Sequence, residues 1–146
     1  MRASSSILVL MMLVLACRPR RESTSSPDEQ MRTKLAGVWV GVQKYASGHD
    51  VMNTMEMTSD GTCTTKLSIP ERKVGPRTIE QAGTWCLKDG IVVETITSDS
   101  QTNARVPDMV RFKILRIDDH ELELDVDRVG GLVYPTNRFI FTKQTR

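Results

Sequence analysis

Three cysteines, two histidines and one acidic row are the residues of this 146-residue chain whose types and spacing could do chemistry. Each histidine adjoins an aspartate, in His49-Asp50 and Asp119-His120, and such a pair can orient an imidazole as a base. No Ser stands in a Gly-x-Ser-x-Gly context to serve as a nucleophile, so acyl-transfer chemistry of that kind is not indicated. Cys63 and Cys86 have no His or third Cys at a ligand spacing, which argues against a zinc site. The row Glu121, Glu123, Asp125 and Asp127 alternates as on one face of a strand. Side chains on such a face stand about 7 Å apart, too far for one calcium ion to gather. The expectation is a protein that is not an enzyme and that uses no cofactor or metal ion.

The remaining cysteine, Cys17, lies at the end of an apolar run, Ile7 to Ala16, which follows Arg2 and a short polar stretch. That run is about half of the roughly 20 residues a membrane-spanning helix needs. Its charged start and short apolar core have the form of a secretory signal. Val14, Leu15 and Ala16 before Cys17 resemble the lipobox of bacterial lipoproteins. The resemblance implies cleavage after Ala16, a diacylglycerol on the Cys17 thiol and a further acyl chain, such as palmitate, on the new amino terminus. Each buried methylene contributes about 0.8 kcal/mol, so two or three chains hold a protein on a membrane durably. Residues 1–16 are then the signal peptide, and 17–26, rich in Arg, Ser and Pro, a lipidated flexible tether. The implied location is the bacterial cell envelope, lipid-anchored, with the outer membrane as the expected site.

With Cys17 assigned to lipid, Cys63 and Cys86 form an even pair in an oxidising compartment, where a disulfide between them is expected, two buried free thiols being the rival. Lys and Arg total 20 against 18 Asp and Glu, and aromatic residues are 5% of the chain. No basic stripe rises from this composition, so a nucleic-acid partner is not expected.

The elements that must position these residues lie within one domain, 27–146. Ser26 can cap a helix with Pro27 at its first position and Glu29 three residues on, and Gly37 can close it. Beyond Gly37 the periodicity becomes strand-like, over 38–45, 51–58, 62–69, 79–87, 91–98, 108–117, 121–128 and 137–143. Ser59-Asp60-Gly61, Lys88-Asp89-Gly90 and Asp118-Asp119-His120 make tight links, and the links between them are longer and polar. Across the last tight link, Ile117 should face Glu121, Ile114 Leu124 and Phe112 Val126, with Lys113 against Asp125 and Arg111 against Asp127 on the other side. Eight antiparallel strands in this alternation predict an all-β, up-and-down barrel behind a short N-terminal helix.

Gly37-Val38-Trp39 at the mouth of the first strand is similar to the Gly-x-Trp that opens lipocalins and related calycin barrels. The resemblance implies that Trp39 closes the barrel floor and that Arg138, from the last strand, lies across its ring. Asp118-Asp119 falls where lipocalins carry Thr-Asp-Tyr, with only the Asp present, and no long helix follows the last strand before Arg146. A compact lipocalin-like domain is therefore expected.

Such a barrel is expected to bind a small apolar or amphipathic ligand in its mouth, with Met52, Met55, Met57 and Tyr134 as ligand-facing candidates. The alternative is a structural or interaction lipoprotein that contacts another cell-envelope protein through its loops, Pro70–Thr78 and Val129–Pro135. An open apolar cavity of several hundred cubic ångströms would favour the first reading.

Overall fold

In a computed structural model, the described residues are 26–44, 48–70, 75, 77–101, 104–129 and 138–145, with only the backbone described over 127–129. The signal, Cys17, the tether and Tyr134 therefore lie outside them. One helix, α1 (Pro27–Leu35), precedes eight strands: β1 (Gly37–Lys44), β2 (Asp50–Met57), β3 (Thr62–Ile69), β4 (Arg77–Lys88), β5 (Ile91–Asp99), β6 (Asp108–Ile117), β7 (Glu121–Val129) and β8 (Arg138–Gln144). Each strand pairs with its neighbours in chain order, antiparallel, and β1 pairs with β8 to close the barrel. This is the architecture that the alternation and the Gly37–Trp39 resemblance implied.

Local chemistry explains the boundaries. The Ser26 hydroxyl accepts from the Glu29 amide at 3.2 Å, and Pro27 needs no partner at the first helical position. In the β2–β3 turn the Asp60 carboxylate accepts from the Thr58 hydroxyl and the Thr62 amide, and these bonds hold its pKa below the usual carboxylate range. In the β6–β7 turn Asp118 Oδ1 accepts from the amides of His120 at 2.9 Å and Glu121 at 2.7 Å, which lowers its pKa likewise.

The β6–β7 register agrees with expectation at its centre, where Ile114 faces Leu124, Lys113 Asp125 and Phe112 Val126. Two irregularities shift both ends. Between Ile114 and Arg116 the register slips, leaving Leu115 outside the ladder and half exposed and setting Ile117 against Leu122 rather than Glu121. Between Arg111 and Phe112 a second slip sets Arg111 against Arg128 rather than Asp127. The extra residue at Leu115 restores the parity that lets Ile114 and Ile117, three apart, both pack on the core.

At Gly83 a β-carbon would stand 2.0 Å from the Thr95 carbonyl oxygen, so only glycine allows β4 and β5 to approach where their register shifts.

The tight-turn end of the barrel is its floor, since α1 enters β1 there. Trp39 is fully buried and its indole N–H donates to the Leu35 carbonyl at 2.8 Å, fastening the end of α1 to the first strand. Lys143, the cross-strand partner of Trp39, places its ammonium 4.9 Å from the ring centroid and donates to the Lys34 carbonyl at 2.8 Å. Gly37, at φ +142°, leaves room for it: a β-carbon there would lie 2.6 Å from Lys143 Cε. Arg32 of α1 makes a second such contact, 5.1 Å from the Trp85 centroid.

Two expectations are corrected here. The cation over Trp39 is Lys143, not Arg138. Arg138 stands five residues earlier on β8, roughly 16 Å along the strand, where its exposed side chain pairs with the buried carboxylate of Glu123. Cys63 and Cys86 are both free. Cys63 faces inward opposite Gly83, whereas Cys86 lies three residues beyond Gly83 and faces outward. That offset, roughly 10 Å along the strand, exceeds the Cα separation of about 7 Å a disulfide tolerates.

Candidate functional site: a polar chamber inside the barrel

Inward-facing positions of all eight strands surround a chamber of about 60 Å³ inside the barrel. Its apolar wall includes Met55, Leu67, Ile96, Val110 and Val126, and all three phenylalanines of the chain, Phe112, Phe139 and Phe141. Its polar wall is Gln43 of β1, Asn53 of β2, Thr65 of β3, Gln81 of β4 and Glu94 of β5.

Glu94 dominates the electrostatics. Its residue is 4% exposed, and among the described residues none that lines the chamber is a Lys or Arg and none partners its Oε1. Burial disfavours the charged form and pushes the carboxyl up to about 7. Cys63 feels the same surroundings: burial, and next the Glu94 charge, push its thiol up to about 12, so it stays neutral. Asn53, 8% exposed, has an Oδ1 that is also unpartnered. Gln81 is fixed by donating from Nε2 to Asp99 at 2.6 Å. A buried acceptor left without a donor costs about 1–3 kcal/mol, and two such oxygens lining one chamber make it a site for something that donates.

No protein-family model and no curated protein matches the chain. Among solved structures, the barrel is similar to a lipocalin-like protein. That protein is from Bacteroides uniformis and is 18% identical, with 76% of this chain and 99% of that one covered and a TM-score of 0.46.

The residues expected to meet a ligand divide among different places. Met55 lines the chamber, and Met57, also inward, is packed in the core without reaching the chamber wall. Met52 points outward and is half exposed, which corrects its assignment: strand side chains alternate, so position 52 cannot share a face with 55 and 57. Tyr134 and most of both candidate loops lie outside the described residues. His49 and His120 are exposed at opposite ends of the barrel, one before β2 and the other in the β6–β7 turn, so nothing brings them together. The acidic row is engaged with cations: Glu121 with Arg116 at 3.3 Å, and Glu123 with Arg138.

Reading the sequence missed Gln43, Asn53 and Glu94 altogether. The signal for Glu94 was present, since Val92, Glu94 and Ile96 share one parity in a strand whose Val92 and Ile96 are core residues. An acid at an inward position is either paired or functional.

Proposed function

We propose that the protein is a lipid-anchored lipoprotein of the bacterial cell envelope whose barrel binds a small amphipathic molecule. The observation that carries the binding is a chamber lined by three phenylalanines together with Glu94 and Asn53, whose side chains each have a buried oxygen without a partner among the described residues. Its size revises the expected ligand. A chamber of about 60 Å³ admits a small molecule or one head group, far below the roughly 300 Å³ and more of sites that engulf a drug-sized ligand. Native mass spectrometry of the purified protein should therefore show a bound species of low mass, released on acid unfolding. A protein whose mass is that of the chain and its acyl groups alone, from every growth condition tried, counts against the reading.

The anchor rests on Val14-Leu15-Ala16-Cys17. Replacing Cys17 by Ser should move the protein from the membrane to the soluble fraction, and retention on the membrane would contradict lipidation.

A second reading, contact with another envelope protein, is favoured by one feature of the outer surface. Val42 (66% exposed) pairs with Met52 (50%) across β1 and β2, and Ile140 (53%) adjoins them on β8. These three make an outward apolar patch beside the closure seam of the barrel, distinct from the loops Pro70–Thr78 and Val129–Pro135.

A further inference from the structure

Two oxygens in the chamber have no partner among the described residues, Asn53 Oδ1 and Glu94 Oε1, and both are hydrogen-bond acceptors once Glu94 is ionised. A ligand satisfying them must bring donors. One acceptor is a buried carboxyl, and none of the described lining residues is a Lys or Arg, so a donor carrying positive charge gains most there, because charge-assisted bonds are about twice as strong as neutral ones. Phe112 and Phe141 complete the argument from the apolar side. Their rings line the same chamber, and aromatic faces attract a cation once it has lost its water. Ionised Glu94 would repel a carboxylate or phosphate ligand, and among the described residues of the lining there is no cation to receive one. A neutral apolar molecule would leave both acceptors unsatisfied.

We propose that the chamber receives the ammonium group of a small primary amine, bound by Glu94 and Asn53, with its hydrocarbon part against the phenylalanines. The inference rests on the interior being the binding site and names the chemistry of the ligand that fits it. Binding of the cation ionises Glu94, and burial otherwise holds this carboxyl partly protonated near neutral pH. Amine affinity therefore increases from pH 5 to pH 8. Cys63, whose thiol is coupled to Glu94, stays neutral throughout this range.

The test uses three probes of matched size, butylamine, butanol and butyrate, titrated into the purified, isotope-labelled full-length protein and followed by NMR. The reporters are the side-chain amides of Asn53 and Gln43. Butylamine should shift them saturably, binding at least roughly tenfold more tightly than butanol, as a charge-assisted bond requires, with no response to butyrate. Glu94→Gln should abolish the preference for the amine, and Asn53→Ala should weaken amine binding while the spectrum keeps its dispersion. If butanol binds as tightly as butylamine, or Glu94→Gln binds the amine as well as wild type, the ammonium assignment is overturned while interior binding stands. If none of the probes perturbs an interior resonance, both are overturned.

Discussion

Replacing Glu94 by Gln stabilises the ligand-free barrel at pH 8 and leaves its stability unchanged at pH 4. The carboxyl, ordinarily near 4.5, is held at about 7 by burial in the folded barrel. Below about pH 4.5 it is protonated whether the chain is folded or not, and burying it carries no charge penalty. Between these values the unfolded chain ionises while the folded barrel keeps its proton, so stability falls as pH rises. Above about 7 the loss is complete, on the order of 3 kcal/mol for a shift of this size. The glutamine variant has no such slope. Urea unfolding at pH 4, 6 and 8 should give midpoints for wild type and variant that coincide at pH 4 and separate by about 1–2 M at pH 8. Asp60 and Asp118, whose turns are strengthened by their ionised forms, titrate alike in both proteins and cancel in the difference. Parallel pH profiles would mean that Glu94 is solvated or paired. Adding a bound amine should shrink the gap, since a cation in the chamber restores to wild type what burial took away.

Most of the fold was legible because the strands are short, alternate cleanly and are separated by turn residues with a mechanism. The predicted strand limits differ from those observed by at most two residues. Where the reading failed, two physical causes recur. One is parity. Met52 shares its chemistry with Met55 and Met57, but the period of two puts it on the other face, and the same alternation separates Cys63 from Cys86. The other is register, which turn chemistry fixes only locally. The slip that leaves Leu115 unpaired carries no Gly or Pro to announce it, and it moves every partner beyond it by one. Closure is a longer-range case of the same problem. Which cation of β8 meets Trp39 depends on how β8 is offset against β1, and that offset accumulates around the whole barrel. Lys143 and Arg138 look equivalent in the sequence and lie at opposite ends of one strand.

The chamber was illegible for a different reason. Glutamine, asparagine and glutamate at inward positions run against the burial rule that identifies a core, so a reading built on apolar residues passes over them. Their placement is informative because it costs stability. A barrel interior needs only side chains that fill it, and this one instead keeps a carboxyl and an amide oxygen unsatisfied beside an apolar wall. Conflicts of this kind between folding and local chemistry are concentrated at functional sites.

Trp39→Ala should cost the barrel about 4 kcal/mol, a large share of the 5–15 kcal/mol that separates a typical domain from its unfolded state. The residue is fully buried and is contacted from three directions: by the core, by Leu35 through its indole N–H, and by Lys143 across its ring. Truncation opens a cavity at the floor and frees the end of α1, so urea unfolding should show a lower midpoint and helical signal should be lost first. Trp39→Phe keeps most of the apolar volume but gives up the indole donor to Leu35, for a loss of about 1–2 kcal/mol. The two cations of β8 supply the discriminating comparison. Lys143→Met removes the ammonium over the ring and its bond to the Lys34 carbonyl, and should be non-additive with Trp39→Phe by about 0.5–1 kcal/mol in a double-mutant cycle. Arg138→Met removes the partner of the buried Glu123 carboxylate and should be additive with Trp39→Phe, since that pair lies at the far end of β8. A cycle in which Arg138, and not Lys143, couples to Trp39 would show that β8 closes against β1 in a different register. The cavity on which the amine proposal rests would then have a different wall, because Phe139 and Phe141 are placed by that same pairing.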